Sequence, residues 1–246
     1  MALWLRSALF NLLFYALTAV TAVVITPYLL LPRRYLMPAF RVYAGMILAL
    51  ARLVCGIRLV VTGLEYLPKG GAALIAAKHQ SAFDTLVWLT LVPDCCYVLK
   101  RELLWLPLWG QLARKGEMIA VDRSAGAKAL RGLLQGAHKA VADGRQIVIF
   151  PEGTRVALGE EVPYQPGVAG LALALKLPLV PVATDSGRCW PRRSFIKQPG
   201  VITVAVLPPL PAGLTRQTLL PALQAVIERE SARLLTVDIS VDKAGD

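Results

Sequence analysis

The chain has 246 residues, of which 56% are hydrophobic, and it carries a formal net charge of +11. A soluble enzyme rarely combines a mean hydropathy of +0.55 with so basic a charge. The apolar excess indicates a membrane, and the basic excess indicates an anionic partner. Nucleic acid is excluded as that partner because the chain has no recognition motif, no aromatic-basic interleaving and no Lys/Arg-rich tail. Anionic phospholipid accounts for both features.

The first long apolar stretch holds no charged residue between Ser7 and Pro32. Its first 20 residues, Ser7 to Thr26, would form roughly 30 Å of helix, which matches the hydrocarbon core of a bilayer. This predicts a transmembrane helix. A signal peptide is the competing interpretation, but the run is too long for an ordinary hydrophobic region and no Ala-x-Ala-like cleavage site closes it.

A second uncharged run, Val42 to Ala51, lies between Arg41 and Arg52. Ten residues are too few to span a bilayer, so a monotopic pair of helices in one leaflet is an alternative to a single span. The basic residues after the first segment outnumber Arg6 before it, which predicts an inner membrane location with the rest of the chain on the cytoplasmic side. These residues are Arg33, Arg34, Arg41 and Arg52.

Residues 1–55 are therefore predicted to be membrane-anchoring helices, and residues 56–246 a separate domain. In that domain, short apolar runs separated by turn residues predict strands at 58–62, 72–76, 96–99, 118–121, 146–150, 179–183 and 201–206. Helices are predicted at 85–91, 125–142 and 218–234. Strands that alternate with helices indicate an α/β fold with a mixed, largely parallel sheet flanked by helices.

His79 and Asp84 lie between a predicted strand and a predicted helix. Histidine is the default general base near neutral pH, and an aspartate that reaches one ring nitrogen fixes the tautomer. Residues five apart on one helix point about 140° apart, so a dyad requires His79 to precede the helix. The alternative is purely structural, because Ser81 and Asp84 match a helix capping box. The second histidine, His138, is interpreted as a surface residue.

The segment Phe150 to Arg155 follows another predicted strand and reads Phe-Pro-Glu-Gly-Thr-Arg. Gly153 lets the backbone approach a ligand closely, Arg155 offers a planar fork that suits phosphate, and Glu152 can accept a hydrogen bond from a hydroxyl. This combination with Thr154 suits a small phosphorylated polyol. The alternative is a structural turn with a Glu–Arg ion pair.

Lys100 and Arg123 each lie at or just past the end of a predicted strand. Strand ends converge at one edge of a parallel sheet, so both side chains could reach the same pocket. The alternative for each is a solvated surface charge. A basic set beyond the last motif, a candidate for contact with lipid headgroups or else an ordinary solvated loop, comprises Arg188, Arg192, Arg193 and Lys197.

In sequence order these motifs resemble the glycerolipid acyltransferase family, most closely its bacterial lysophosphatidate acyltransferases. The matching blocks are His79 with Asp84, the strand 118–121 with Arg123 after it, Phe150 to Arg155, and the strand 179–182 with its central proline. The similarity continues through residues 186–187 and 190–193. It therefore covers most of the chain after residue 56.

The resemblance implies transfer of an acyl group from acyl carrier protein or acyl-CoA to the sn-2 hydroxyl of lysophosphatidate, giving phosphatidate in phospholipid biosynthesis. His79 would act as the base and Asp84 would orient it, with no metal and no cofactor beyond the acyl donor. The residues implied to bind the glycerol phosphate are Arg123, Glu152, Gly153, Thr154 and Arg155, with Lys100 as a further candidate.

Three departures from the family pattern concern the acceptor pocket. Lys78 stands where relatives often carry Asn or Ser, Gln165-Pro166 replaces a frequent lysine, and Asp185 replaces an expected Asn. Glycerol 3-phosphate or a lyso-aminolipid is therefore an alternative acceptor. A lipid-binding membrane protein without catalysis is a third possibility, and the loss of His79 or Asp84 would have been its signature.

The cysteines are Cys55, Cys95, Cys96 and Cys189, and they form no Cys-x-x-Cys motif. This pattern indicates neither a disulfide framework nor a zinc site, and it suits a reducing compartment.

Overall fold

The computed structural model describes residues 1–122 and 126–236. The helices are α1 (Ala2–Val24), α2 (Leu36–Leu50), α3 (Phe83–Leu91), α4 (Trp109–Lys115), α5 (Ala127–Ala142), α6 (Gly167–Leu175) and α7 (Arg216–Thr236). The strands are β1 (Ile57–Thr62), β2 (Ala73–Ala77), β3 (Cys95–Lys100), β4 (Ile119–Val121), β5 (Gln146–Ile149), β6 (Leu179–Thr184) and β7 (Gly200–Val206). Each strand predicted from the sequence is present, with ends that differ by a residue or two.

The strands form one seven-stranded sheet in the order β1-β7-β6-β2-β5-β3-β4. All neighbouring strands are parallel except β6 and β7, which are antiparallel. The predicted α/β fold with a mixed, largely parallel sheet is therefore confirmed. Because β2 lies between β5 and β6, the loops after these strands meet at the carboxyl edge in the middle of the sheet.

Helices cover both faces of the sheet, which explains why β2 is buried along its whole length. Successive strand residues point to opposite faces, so Leu74 and Ile75 belong to different hydrophobic clusters. The cluster around Ile75 includes buried residues of α2 and α3. The cluster around Leu74 includes buried residues of α5, α6 and α7.

The N-terminal segment forms a helical hairpin of α1 and α2, joined by short turns at Thr26–Leu30 and Arg33–Tyr35. Helix α2 continues through a π-helical turn, Ala51–Cys55, so it extends beyond the ten-residue uncharged run, and the expectation that the second segment is too short to span a bilayer is wrong. By length and composition, Ala2–Leu30 and Arg33–Cys55 are each long and apolar enough to cross a membrane. The hydrophobic N-terminal segment is thus helical and suited to membrane association.

Helix α2 runs past Arg41 because the arginine has partners within the protein. Its guanidinium donates hydrogen bonds to the backbone oxygens of Val92 and Pro93, at 3.0 and 2.8 Å, just after α3. Arg41 therefore attaches α2 to the segment after α3, while its side chain stays exposed.

Arg33, in the turn between the two helices, is also bound to the sheet layer. Its Nη1 lies 2.9 and 2.7 Å from the carboxylate oxygens of Asp94, and its Nε lies 3.6 Å from Glu117. Asp94 also accepts a 3.1 Å hydrogen bond from the fully buried Arg145. Two of the arginines counted for membrane orientation, Arg33 and Arg41, thus hold the hairpin against the sheet.

The predicted division at residue 56 coincides with a change of secondary structure. Gly56 has a φ of +70°, a left-handed conformation that ends the helix and starts β1. Phe10 of α1 and Phe40 of α2 nevertheless belong to the same hydrophobic cluster as Trp88 of α3. The hairpin and the sheet therefore share one core, and the division into two domains stays a prediction.

Candidate active site

The candidate site lies at the carboxyl edge of the sheet, where β2 and β5 are adjacent and parallel. His79 follows the end of β2, and the segment Phe150 to Arg155 follows the end of β5. The two loops are joined directly, since the backbone N–H of Val156 donates a 2.8 Å hydrogen bond to the oxygen of His79. Sheet topology thus brings the His79–Asp84 motif and the segment Phe150 to Arg155 together.

The imidazole of His79 and the carboxylate of Asp84 are in hydrogen-bond contact, with Nδ1 3.1 Å from Oδ2. Asp84 lies in the first turn of α3 and His79 lies before the helix, as the dyad requires. An ionised carboxylate only accepts, so Nδ1 carries the proton and Nε2 keeps its lone pair. The side chains of His79 and Asp84 are 12% and 3% exposed. The imidazole is thus the accessible member of a pair whose carboxylate is buried.

The helix-capping role, given above as the structural alternative, also belongs to the Asp84 carboxylate. Asp84 Oδ2 also accepts hydrogen bonds from the backbone N–H groups of Gln80 and Ser81, at 2.7 and 2.8 Å. Ser81 Oγ in turn accepts from the N–H of Phe83 at 3.1 Å. The interpretations are compatible, because one carboxylate shapes the loop and orients the imidazole within it.

Phe150 is a contact that sequence reasoning missed. Its ring stacks on the imidazole of His79, with centroids 4.0 Å apart and planes at 18°, and Tyr97 lies 6.2 Å beyond it. Phe150 belongs to the matched segment Phe150 to Arg155, but an aromatic residue at the end of a buried strand looks like ordinary core, so the sequence assigned it no role at the dyad. Together with the hydrogen bond from Asp84, the stack fixes both the position and the rotation of the imidazole.

Glu152 is oriented differently from the predicted acceptor contact. Its side chain is 0% exposed, and its Oε1 lies 3.5 Å from Lys78 Nζ. The same oxygen accepts a 3.4 Å hydrogen bond from the backbone N–H of His79. Burial raises the pKa of Glu152 to about 7, against the opposing effect of the Lys78 ammonium. Glu152 therefore supports the His79 backbone from inside the protein.

The other residues of this segment lie nearer the surface. Gly153 has a φ of +72°, which favours glycine, and its N–H donates a 2.9 Å hydrogen bond to the oxygen of Phe150. Thr154 is exposed and Arg155 is half-buried. Within residues 1–122 and 126–236, the Arg155 guanidinium has neither a hydrogen bond nor an ion pair. The alternative of a Glu152–Arg155 ion pair is wrong for this conformation, since Glu152 faces Lys78 instead.

Lys100, a predicted phosphate ligand, is not brought to the dyad by any contact among the described residues. Lys100 ends β3 at the same sheet edge, but its half-exposed ammonium lies 3.1 Å from Glu102. Arg123 lies outside the described residues. His138 is exposed on α5, which fits its interpretation as a surface residue.

The basic set beyond the last strand motif is only partly available to headgroups. Lys197 is buried, and its Nζ donates to the backbone oxygens of Ser194 and Phe195 at 2.8 and 3.0 Å, so the proposed headgroup contact is wrong for this residue. Arg188 is bonded to the oxygen of Leu235. Arg193 is exposed.

All four cysteines are buried free thiols. No group of three or more potential metal-ligating side chains occurs in the described part of the chain.

The structure thus combines an α/β sheet of mixed, mostly parallel strands with a His–Asp pair at its carboxyl edge. Residues 58–185 match the family model described as Acyltransferase. The chain belongs to the acyltransferase family.

Two curated relatives carry more specific names. The 1-acyl-sn-glycerol-3-phosphate acyltransferase of Pseudomonas aeruginosa is 37% identical over 163 residues, which cover 66% of this chain and 63% of that protein. The chain thus spans less than two thirds of this relative. The human 1-acyl-sn-glycerol-3-phosphate acyltransferase alpha is 32% identical over 197 residues, which cover 77% of this chain and 68% of the human protein.

One solved structure shares the fold. The 1-acyl-sn-glycerophosphate (LPA) acyltransferase PlsC of Thermotoga maritima superimposes with a TM-score of 0.78, covering 94% of this chain and 97% of its own. At 22% identity the match concerns the fold alone. Its extent includes the N-terminal hairpin as well as the sheet.

The two roles of Asp84 can be separated by substitution. Asp84→Ala removes the acceptor for two backbone N–H groups and is expected to lower the free energy of unfolding by about 0.5–2 kcal/mol. Asp84→Asn keeps an acceptor oxygen but can favour the wrong tautomer of His79, so it should retain most of the stability and still lose most of the turnover. Denaturant unfolding and acyl-transfer rates, measured on the same samples, check both. Near-full turnover in Asp84→Asn would leave Asp84 with the capping role only.

Proposed function

We propose that this chain is a 1-acylglycerol-3-phosphate O-acyltransferase that transfers a fatty acyl group from acyl carrier protein or acyl-CoA to the sn-2 hydroxyl of lysophosphatidate. The observation that carries the proposal is the 3.1 Å contact between His79 Nδ1 and Asp84 Oδ2, which leaves Nε2 as the base. The names of the Pseudomonas and human relatives support the choice of acceptor. The product would be phosphatidate, a precursor of membrane phospholipids.

The chemistry follows from the free lone pair on Nε2 of His79. As the hydroxyl oxygen of lysophosphatidate attacks the thioester carbonyl, Nε2 takes the hydroxyl proton. The imidazolium that forms is stabilised by the ionised Asp84. Collapse of the tetrahedral intermediate breaks the carbon–sulfur bond, and the leaving thiolate receives the proton from the imidazolium. No covalent enzyme intermediate is needed.

The acceptor phosphate is assigned to Arg155, a half-buried residue that directly precedes Val156, whose backbone N–H binds the oxygen of His79. An arginine without a partner in the described protein can offer both arms of its fork to a phosphate. Gly153 and Thr154 would complete this site from the same loop. Arg123 and Lys100 stay as predicted additional phosphate ligands. Glu152 would support the backbone of His79 from the buried side of the dyad.

The membrane role is assigned to the outer surface of the α1–α2 hairpin. One end of the hairpin is bonded to the sheet layer through Ser7, whose Oγ accepts a 3.0 Å hydrogen bond from the N–H of Lys197. The other end is bonded through Arg33 and Asp94. A hairpin held at both ends lies along the enzyme, which favours the monotopic alternative over a single span. We assign it to the cytoplasmic face of the inner membrane, because Arg34 and Arg52, the other two arginines of the charge asymmetry, are exposed.

Loss of the base is expected to abolish most of the turnover. His79→Ala should lower kcat for lysophosphatidate acylation by about 10²–10⁴-fold, the usual contribution of a general base, while thermal unfolding stays cooperative. His138→Ala is the matched control, because this exposed histidine has no predicted role, and its kcat should equal that of the unmodified protein.

The assay should offer acyl carrier protein and CoA thioesters separately, with lysophosphatidate, glycerol 3-phosphate and a lyso-aminolipid as acceptors. Preference for lysophosphatidate supports the proposal. Faster acylation of either other acceptor, or undiminished turnover in His79→Ala, contradicts it.

Arg155 is expected to act on the acceptor and not on the donor. Arg155→Lys keeps the charge and loses the bidentate fork, so the KM for lysophosphatidate should rise by about 10-fold or more, with a smaller change in the KM for the acyl donor. Arg193→Lys, at an exposed arginine further along the chain, is the control and should change neither constant. An equal rise in both KM values for Arg155→Lys argues against phosphate binding.

The outward face of α1 is expected to contact lipid. Leu12 is 67% exposed near the middle of this helix. Leu12→Asp replaces apolar area on the face assigned to lipid with a charge, and should reduce co-flotation with anionic phospholipid vesicles. Leu173→Asp on α6 is the control, at a leucine that is 39% exposed on the opposite side of the sheet. Equal flotation of both variants would place the membrane contact elsewhere.

A further inference from the structure

A buried charge cluster lies directly behind the candidate dyad, and the proposed mechanism makes no use of it. It consists of Lys78, Glu152, Glu228 and Tyr164, and their side chains are mostly or wholly buried. Lys78 Nζ lies 2.7 and 2.5 Å from the two carboxylate oxygens of Glu228. The Tyr164 hydroxyl donates a 2.8 Å hydrogen bond to Glu228 Oε1.

This cluster connects the C-terminal helix to the backbone of His79. Glu228 lies on α7, outside the residues 58–185 that match the family model. Lys78 immediately precedes His79, and its own N–H donates to the oxygen of Val182 at 2.9 Å. Both the main chain and the ammonium group of Lys78 are hydrogen-bonded. Lys78 therefore connects α7 to the loop of His79 in a fixed geometry.

The cluster holds two carboxylates and one ammonium ion. Lys78 contacts both oxygens of Glu228, whereas its nearest contact with Glu152 is 3.5 Å. The groups that face Glu152 are Lys78 from the loop after β2, Glu228 from α7, Tyr164 from the segment before α6, and His79 through its backbone N–H. An unpaired buried charge is costly, so the ion pair determines how easily Glu152 can be ionised. Glu152 in turn accepts from the His79 N–H.

We propose that Lys78 and Glu228 form a positioning pair for the catalytic histidine: the pair fixes the backbone at His79 and controls the charge on Glu152 behind it. Neither residue touches substrate. The pair therefore acts on turnover and on its pH dependence, while the binding of donor and acceptor is unchanged. The kinetic part of this inference rests on the proposed function.

The chain offers a direct readout because it contains only two histidines. In a His138→Gln background, the NMR signal of the His79 ring can be followed against pH without any substrate. Since burial raises the pKa of Glu152 to about 7, its ionisation should appear as an additional inflection in the His79 signal. Glu152→Gln should remove that inflection.

The two members of the pair should move this inflection in opposite directions. Glu228→Gln removes a negative neighbour, which lowers the pKa of Glu152 and shifts the inflection to lower pH. Lys78→Met removes the positive neighbour, so the inflection shifts to higher pH. In both variants kcat should fall by about 10–100-fold, as expected when a catalytic group is displaced, with both KM values within about twofold.

Two further variants keep the test decisive if Lys78→Met folds poorly. The double variant Lys78→Met/Glu228→Gln removes the lysine and its closer partner together, and should recover kcat and thermal stability relative to Lys78→Met alone, because the Glu228 carboxylate is no longer left without its ammonium partner. Lys139→Met is the matched control, since it breaks an exposed 2.7 Å ion pair with Glu117 and should leave the His79 titration and kcat unchanged.

The positioning role is overturned if the variants lower the melting temperature while the His79 titration keeps one unchanged curve. It is also overturned if the double variant is no better than Lys78→Met. A failure of the proposed function looks different: the unmodified protein would not acylate lysophosphatidate, and the His79 titration would still respond to Lys78 and Glu228.

Discussion

The candidate site depends on one carboxylate oxygen. Oδ2 of Asp84 receives the N–H groups of Gln80 and Ser81 and the Nδ1 of His79, all within 3.1 Å. Three donors on one oxygen place the loop, the start of α3 and the imidazole in a single arrangement. Charge-assisted hydrogen bonds of this kind are stronger than neutral ones, and burial strengthens them further. The histidine is thus positioned before any substrate arrives, which is the usual requirement for efficient proton transfer.

Behind this arrangement, the protein supports the histidine from several parts of the chain. Phe150 comes from the end of β5, Glu152 from the loop after it, and Glu228 from α7. The loops after β2 and β5 meet because the parallel strands end at one edge of the sheet, and Glu228 is joined to them through Lys78. The fold therefore separates the surface that performs chemistry from the interior that maintains its geometry.

Much of the fold could be predicted from the sequence because its signals are local. A continuous apolar run such as Ala73–Ala77 indicates a strand covered on both faces, and the dyad follows from where that run ends. The burial of Lys78 could not be predicted, because its partner Glu228 lies 150 residues away and a lone lysine normally indicates solvent. The same applies to Arg33 and Arg41, which looked like membrane-orienting charges until their partners near Asp94 and Pro93 were known. Contacts between charged residues and partners far away in the sequence produce no periodic pattern from which they could be predicted.

The hairpin that precedes the sheet also constrains how the protein can be made. One face of the sheet is completed by α2, whose residues Phe40 and Ile47 share a cluster with Val148 of β5 and Ile202 of β7. The hairpin precedes every strand in the chain, so it is synthesised before the strands that it covers. This face of the sheet then assembles on a helix pair that already exists. Folding of this layer is therefore a templated event, in which the helices come first and the strands complete the core on them.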